Sequence, residues 1–214
     1  MNICIFGGAF DPIHTGHKLM AEIAMKKYSF NKFIFLVSKT PPHKKDHSEA
    51  FNHRFNMVKL VADDLNKEFN EIEKYKNKCS FEVSDIENQM DGISYTYNSL
   101  IFLKKIYKND KFIFLTGSDI FSSIESWYNY KELFNLTDFL IGYRPGVEFN
   151  DMLEKIPENI RCKIENKDGI KLLDLNSINI SSSEIRHNLL SNNNHFDYIE
   201  ESVKKYIKEH GLYV

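Results

Sequence analysis

The 214-residue sequence predicts an α/β protein in which helices cover both faces of a parallel sheet. Three observations support this fold class. Short apolar runs of strand length alternate with longer segments of helical periodicity. A glycine-rich turn joins the first strand to the first helix, and no linker rich in proline or glycine divides the chain. We therefore predict a single domain over residues 1–214, a Rossmann-like, doubly wound parallel sheet with a small helical C-terminal portion.

Each predicted element follows from its local pattern. Six apolar runs are predicted strands: Asn2–Phe6, Lys32–Val37, Cys79–Ser84, Lys111–Thr116, Asp138–Tyr143 and Lys171–Leu175. Six segments with helical patterns are predicted helices: Gly16–Tyr28, Ser48–Asn66, Tyr95–Tyr107, Tyr130–Leu136, Ser182–Leu190 and Ile199–His210. The polar stretch 66–78 is predicted to be a helix end followed by a surface loop. Because ligands bind beyond the carboxyl ends of the strands in such sheets, the motifs that follow the strands can converge on one crevice.

Composition narrows the class of partner. The formal net charge of −2 does not call for nucleic acid or an acidic membrane as a partner. The apolar runs have strand length, too short to span a membrane. The three cysteines, Cys4, Cys79 and Cys162, are too scattered for a disulfide framework and fit the reducing cytoplasm. We expect a cytoplasmic protein without nucleic-acid or membrane partners, and the sequence does not determine its oligomeric state.

The segment from Gly7 to His17 carries the strongest chemical signal. It lies between the first predicted strand and the first predicted helix, where open α/β sheets bind phosphates. Gly7 and Gly8 leave backbone N–H groups free to point at oxygen anions, and Gly16 lets a bulky ligand approach the backbone. His14 and His17 share one face of the first helical turn and can donate hydrogen bonds to a polyphosphate.

Two other interpretations of the histidine pair remain open at this stage. A histidine at a helix start is often a surface or capping residue. A His-x-x-His pair can also form half of a zinc site, and Asp11 lies nearby. However, zinc requires a third and usually a fourth ligand, and no cysteine pair or glutamate supplies a familiar spacing.

The motifs after the second and third strands have competing interpretations. The loop from Thr40 to Lys45 holds two prolines and then Lys44, which by itself describes an ordinary surface loop as well as a phosphate contact. Arg54 is either a solvated helix residue or an anchor for that loop. Ser94 or Thr96 can cap the next helix, and free N–H groups there can also hold a carboxylate.

The motifs after the later strands also have competing interpretations. Gly117 and Asp119 form a small turn with a carboxylate at the edge of the core, suited to ribose hydroxyls or a metal-bound phosphate. Trp127 is either a core residue or a flat surface for a heterocycle. The segment from Ile180 to Arg186 places serines at a helix start and an arginine one turn later, which fits both a capping box and an anion site.

Together these motifs resemble the nucleotidyltransferase superfamily with the His-x-Gly-His motif. The sequence from Gly7 to His17 resembles its signature, and the segment 180–186 is similar to its Ile-Ser-Ser-Thr-x-Ile-Arg motif with Ser183 in place of threonine. Pro-Pro-His-Lys, Ser-Tyr-Thr and Arg-Pro-Gly segments narrow the resemblance to the bacterial-type nicotinate-nucleotide adenylyltransferases. Asn98 stands where that family has aspartate, which removes a charge and keeps a hydrogen-bonding group.

The resemblance implies transfer of AMP from ATP to nicotinate mononucleotide, which yields nicotinate adenine dinucleotide and pyrophosphate in NAD biosynthesis. It implies catalytic roles for His14, His17, Lys44 and Arg186. The implied ATP-binding residues are Gly7, Gly8, Ala9, Phe10, His14, His17, Gly117, Asp119, Ile180, Ser181, Ser182 and Arg186. The implied nicotinate mononucleotide-binding residues are Asp11, Lys44, Ser94, Tyr95, Thr96, Trp127 and Arg144. Mg²⁺ would be held through the ATP phosphates, with Asp119 as a candidate ligand and no other side-chain ligand assigned.

Four other functions fit the same scaffold. The acceptor could be nicotinamide mononucleotide, or the chain could be a pantetheine-phosphate adenylyltransferase or a cytidylyltransferase. These last two offer no reason for Trp127 or for the Ser94–Thr96 turn. A nucleotide-binding regulator without turnover is the fourth, and the intact histidines and Arg186 argue against it.

Overall fold

The protein forms one six-stranded, all-parallel sheet in the order β3-β2-β1-β4-β5-β6. We describe residues 1–40, 49–143, 158–165, 169–175, 180–191 and 196–213 of a computed structural model. The strands are β1 Asn2–Gly8, β2 Lys32–Val37, β3 Ser80–Ser84, β4 Lys111–Gly117, β5 Asp138–Tyr143 and β6 Ile170–Asp174. Every predicted strand boundary lies within two residues of the observed one, and the predicted fold class is confirmed.

The α-helices are α1 Thr15–Tyr28, α2 Phe51–Glu71, α3 Thr96–Ile106, α4 Ser118–Phe121, α5 Tyr130–Leu136, α6 Glu158–Glu165, α7 Ser182–Leu190 and α8 Glu201–His210. Within the described ranges, two 3-10 helices cover Ile86–Gln89 and Ile124–Ser126. The sequence did not predict α4, α6 or the 3-10 helices. α4 and the 3-10 helices span only three or four residues each, which is too short for a periodic apolar pattern. In the described part of the chain, no helix is long and apolar enough to cross a membrane.

Two apolar cores lie on opposite faces of the sheet, as the period of a strand requires. In β1, the side chains of Cys4 and Phe6 pack into the core under α1, α2, α7 and α8. The alternate residues Ile3 and Ile5 pack into the core under α3 to α6. The sheet is therefore doubly wound.

The end of α2 differs from the prediction. The helix continues to Glu71, five residues past the predicted end at Asn66, because Phe69 is buried against the Phe81 ring with centroids 4.9 Å apart. Asn66 lies within the helix, and its amide accepts from the Phe81 N–H and donates to the Phe81 carbonyl, both at 2.8 Å. β3 is an edge strand, so Asn66 covers backbone groups that would otherwise lack partners.

Candidate active site

Two adjoining cavities lie at the carboxyl ends of β1 and β4, where the strand order reverses. The larger, of about 260 Å³, is lined by Ser94, Tyr95 and Trp127 among others, and we call it the aromatic half. The smaller, of about 200 Å³, is lined by His14 and His17 among others, and we call it the histidine half. They share a wall formed by Gly7, Gly8, Ala9, Thr116 and Ile120, so the two halves form one cleft. The predicted convergence of the motifs is thus observed for those in the described part of the chain.

The two histidines lie against each other at the start of α1. Their ring centroids are 3.7 Å apart with an angle of 32° between the ring planes. His14 is the N-cap residue, and its backbone N–H donates to Nδ1 of His17 at 3.3 Å. This bond places the proton of a neutral His17 ring on Nε2, which makes Nε2 a hydrogen-bond donor. Capping and phosphate binding, which were alternatives in the sequence, are therefore compatible.

Gly7 and Gly8, at the end of β1, do more than give a ligand access to the backbone. A Cβ atom on Gly7 would lie 2.7 Å from Cζ of Phe114, and one on Gly8 would lie 2.9 Å from Cζ of Phe10. Phe10 is itself buried, with φ of 49°, and its ring meets His17 edge-on at 5.0 Å. The missing side chains thus let two aromatic rings support the floor of the cleft.

The serines at the start of α7 confirm the N-cap half of the predicted capping box. Ser181 is the N-cap residue, and its Oγ accepts from the backbone N–H of Glu184 at 3.2 Å. Ser182 Oγ donates to the carbonyl of Pro12 at 3.0 Å, which ties α7 to the turn after β1. Both serines line the histidine half.

Arg186 lies behind the histidine half rather than in its lining. Its Nη1 donates to the carbonyl of Asp11 at 2.6 Å, and its Nη2 donates to Ser183 Oγ at 3.2 Å. The Asp11 carboxylate is 1% exposed, lies 3.9 Å from the same Nη1, and accepts from the hydroxyl of Tyr213 at 2.8 Å. Asp11 lines neither half of the cleft. The geometry therefore favours a positioning role for Asp11 over the predicted contact with nicotinate mononucleotide.

Arg54 is an anchor, which decides between the two interpretations of this residue. It is 1% exposed, and its Nη1 donates to the carbonyls of Ala9 at 2.6 Å and Ser38 at 2.8 Å. Nη2 reaches the carbonyl of Lys39 at 3.4 Å. One buried guanidinium therefore joins the segments that follow β1 and β2, two walls of the cleft.

The predicted cap of α3 is wrong. The N-cap residue is Tyr95, and no side chain caps the helix. Ser94 Oγ instead accepts from the backbone N–H of Thr40 at 2.9 Å, because the turn before α3 is held against the end of β2. The first-turn N–H groups, beginning at Thr96, are thus left without a side-chain cap beside the aromatic half.

Glu87 is a site residue that the sequence analysis missed. It is 3% exposed and lines the aromatic half. Its carboxylate accepts from Ser99 Oγ at 2.7 Å and from the backbone N–H of Lys39 at 3.2 Å. Burial raises the pKa of Glu87, and the hydrogen bonds from Ser94 and Ser99 act in the opposite direction. The available signal was its place just after β3, at the same sheet edge as the other motifs.

Aromatic rings form much of the aromatic half and its surroundings. Tyr95 stacks on Tyr128 with centroids 4.8 Å apart, and Tyr97 meets Tyr128 edge-on at 5.9 Å. Trp127 packs edge-on against Phe114 at 6.0 Å and also lines the cavity, so its core and cleft roles coexist. Tyr128 is 48% exposed, and the sequence alone predicts no role for it.

The remaining predicted residues divide into two groups. Gly117, Asp119 and Ile180 line the histidine half. Asp119 is exposed in the first turn of α4 rather than at a buried edge, and a Cβ on Gly117 would lie 2.5 Å from its Oδ1. Lys44 and Arg144 lie outside the described residues. Within the described ranges, no group of three or more His, Cys, Asp or Glu residues is placed to hold a metal ion.

The comparison with known proteins agrees with a cleft that has a histidine half and an aromatic half. A family model described as cytidylyltransferase-like matches residues 5–188. The chain therefore belongs to the cytidylyltransferase-like family of nucleotidyltransferases.

Individual relatives indicate the branch of the family to which the chain belongs. The "Probable nicotinate-nucleotide adenylyltransferase" of Clostridium novyi (strain NT) is 35% identical over 98% of this chain and 97% of the relative. The nicotinate-nucleotide adenylyltransferase of Bacillus subtilis (strain 168) is 32% identical over 99% of this chain and 97% of the relative. The structure of Plasmodium falciparum nicotinic acid mononucleotide adenylyltransferase complexed with NaAD has a TM-score of 0.74 and 25% identity, with 99% of this chain and 97% of that chain covered. Within its family, the chain belongs with the nicotinate-nucleotide adenylyltransferases.

Proposed function

We propose that this protein transfers AMP from ATP to nicotinate mononucleotide, releasing pyrophosphate and forming nicotinate adenine dinucleotide. The observation that carries the proposal is one cleft with two chemically different halves that share the wall formed by Gly7, Gly8 and Ala9. One half offers donors suited to a polyphosphate, and the other offers aromatic rings and an uncapped helix start. A reaction that joins two nucleotides at a phosphate requires this arrangement.

ATP occupies the histidine half in this proposal. The Nε2–H of His17 and the start of α7 at Ser181 and Ser182 face the triphosphate, and helix starts favour anions. Arg186 supports this side through Asp11 and Ser183. Lys44 stays a predicted phosphate contact.

Nicotinate mononucleotide occupies the aromatic half. The pyridine ring is flat and suits the faces of Trp127 and its neighbours. The carboxylate of the ring accepts hydrogen bonds only, which suits the uncapped N–H groups of the first turn of α3. Arg144 stays a predicted contact for an anion on this substrate.

The chemistry needs no protein nucleophile. An oxygen of the mononucleotide 5′-phosphate is already ionised at neutral pH and attacks the α-phosphorus of ATP in line. The bond from the α-phosphorus to the bridging oxygen breaks, and pyrophosphate leaves. Catalysis then consists of positioning the two phosphates and stabilising the charge that moves onto the leaving group, which is the role assigned to His14 and His17.

Mg²⁺ is compatible with the residues that are present. Mg²⁺ keeps several waters and binds through substrate phosphates with one or two carboxylates, rather than in a cage made by the protein. Asp119 is an exposed carboxylate in the lining of the histidine half and would hold the ion from the protein side. When bound, Mg²⁺ neutralises charge on the departing pyrophosphate.

Two features outside the cleft support proposals about the domain organisation and the location of the protein. One continuous sheet runs through the described residues, which supports a single nucleotidyltransferase domain over residues 1–214. All three cysteines are free, which supports a cytoplasmic location.

Pyrophosphate release tests the function directly. The protein is incubated with ATP and MgCl₂ and, in parallel, nicotinate mononucleotide, nicotinamide mononucleotide or 4′-phosphopantetheine. We expect release with nicotinate mononucleotide and formation of the dinucleotide. Release only with 4′-phosphopantetheine would replace the proposal with the other adenylyltransferase. ATP binding without release for any acceptor would indicate a nucleotide-binding regulator.

A further inference from the structure

The segment that follows α8 folds back beneath the cleft. Gly211 ends α8 in the left-handed conformation with φ of 59°, and the N–H of Leu212 returns to the Ile207 carbonyl at 3.1 Å. This turn reverses the chain and brings Tyr213 into the interior, where it is 4% exposed. Tyr213 thus reaches Asp11, in the turn after β1, from the end of α8.

Tyr213 is held from two sides. Its backbone N–H donates to Oε1 of Glu49 at 3.1 Å, and its hydroxyl donates to Oδ1 of Asp11 at 2.8 Å. Its φ of 60° is unusual for a residue other than glycine. Strained backbone of this kind persists only where the surroundings fix it, and it is concentrated at functional sites.

The Tyr213 hydroxyl donates to Asp11, and the backbone carbonyl of Asp11 accepts from Arg186. Arg186 Nη1 lies 2.6 Å from the Asp11 carbonyl and 3.9 Å from its Oδ2. Because Asp11 is 1% exposed, its carboxylate depends on protein partners rather than on bulk water. The Asp11 side chain is therefore fixed between the hydroxyl of Tyr213 and the guanidinium of Arg186.

The same short turn bears the other phosphate-side groups. Ala9 is held by Arg54, and Pro12 is held by Ser182. His14 begins α1 two residues further on. A shift of Asp11 would therefore move Arg186 and the start of α1 together. Burial and the negative charge of Asp11 raise the pKa of Tyr213, so the tyrosine remains a donor across the working pH range.

We propose that Tyr213 is a positioning residue for adenylyl transfer, and that its hydroxyl fixes Asp11 and thereby Arg186 on the ATP side of the cleft. The inference rests on the proposed function and adds to it a contribution from the segment 211–213. It assigns the effect to ATP, because Arg186 donates to Ser183, which lines the histidine half. Tyr213, Asp11 and Arg186 line no part of the aromatic half, so that half is expected to stay unchanged.

The test is Tyr213→Phe, which keeps the ring and removes only the hydroxyl. We expect kcat/KM for ATP to fall about tenfold, the size of one lost hydrogen bond to a charged group, while KM for nicotinate mononucleotide changes less than about twofold. The matched control is Tyr206→Phe, which also removes a tyrosine hydroxyl that joins two helices, because the Tyr206 hydroxyl lies 3.0 Å from Asn56 Nδ2 and 3.1 Å from His53 Nδ1. The control should retain wild-type kinetics.

A double-mutant cycle tests the route through Arg186. If Tyr213 acts through Asp11 on Arg186, Tyr213→Phe should have less than about a twofold further effect in an Arg186→Lys background. Effects that multiply fully would overturn this route, and an unchanged ATP dependence of Tyr213→Phe would overturn the proposal itself.

Two further measurements test the proposal in cases where the kinetics of Tyr213→Phe cannot. If Tyr213→Phe does not fold, Asp11→Asn removes the negative charge of the acceptor, weakens the same hydrogen bond from its other end and should produce an ATP-side loss in the same direction. If the wild-type protein releases no pyrophosphate, the proposed function fails, and ATP binding measured by calorimetry still tests the inference. In that case, equal ATP affinities for wild type and Tyr213→Phe would contradict the positioning role.

Discussion

At the scale of the single residue, His17 offers the sharpest test of the phosphate side. Its Nδ1 is occupied by the His14 N–H, so Nε2 is the ring atom assigned to the ligand. We expect His17→Ala to fold and to lose about 10²–10³ in kcat, the usual loss for one preorganised donor to a developing charge. Steady-state kinetics at saturating ATP and nicotinate mononucleotide measure the change.

His187→Ala is the matched control for His17→Ala. His187 is exposed on α7 and lines neither half of the cleft. Its replacement should leave kcat unchanged. A loss for His17→Ala smaller than about fivefold, well below the usual effect of such a donor, would remove His17 from the catalytic groups.

Glu87 predicts a specific dependence of stability on pH. Because burial raises its pKa in the folded protein, the folded state binds this proton more tightly than the unfolded state does. The stability that Glu87 contributes is therefore fully present below its ordinary pKa of about 4.3 and is lost as the pH rises through its raised value. We expect the free energy of unfolding of wild type, minus that of Glu87→Gln, to fall as pH increases across this window.

Urea unfolding of both proteins from about pH 4 to pH 8 measures this difference. Glu125→Gln, at an exposed position, serves as the control and should show a flat difference from wild type. A difference between wild type and Glu87→Gln that rises with pH would show that the hydrogen bonds from Ser99 and Lys39 outweigh the burial of the carboxylate.

At the scale of the element, Arg54 joins helix α2 to two strand ends. Arg54→Met leaves the carbonyls of Ala9 and Ser38 without their buried donor. Loss of a buried charged partner is costly, so we expect the free energy of unfolding to fall by about 3 kcal/mol or more. Activity should fall as well, because the same carbonyls belong to the walls of the cleft.

Lys59→Met is the control for Arg54→Met. Lys59 lies on the same helix and is exposed, so its replacement should change stability by no more than about 0.5 kcal/mol. Chemical denaturation of the three proteins provides the comparison. If both variants match wild type, Arg54 is not the anchor that its hydrogen bonds describe.

At the scale of the whole molecule, the two halves of the cleft predict which mononucleotide is preferred. The acid and the amide differ only in the group on the pyridine ring. A carboxamide would direct its NH₂ at some of the uncapped N–H donors of α3 and leave buried groups unpaired. Each such group costs roughly 1–3 kcal/mol, so two of them give a preference for the acid of about 10²-fold.

The measurement is kcat/KM for both mononucleotides at saturating ATP. We expect Trp127 to stack equally on either ring and to contribute affinity without discrimination. A ratio near one, or a preference for the amide, would refute the nicotinate assignment and leave adenylyl transfer intact. The experiment therefore separates the choice of acceptor from the type of reaction.

Local patterns in the sequence determined most of the architecture. The six strands, the parallel sheet, the N-cap at Ser181 and the convergence of the motifs on one sheet edge all follow from apolar periodicity and from strand-to-helix turns. These features depend on residues close together in the chain, which a single sequence displays.

Only the tertiary structure decided which groups face the cleft and which support it from behind. The sequence could not show that Arg54 is an anchor, that Glu87 lines the aromatic half, or that Tyr213 bonds to Asp11 across 202 positions. It also could not show that Gly7 makes room for the Phe114 ring. The physical reason is that burial and hydrogen bonding between distant segments depend on how helices pack on the sheet, and the identity of a residue does not carry that information.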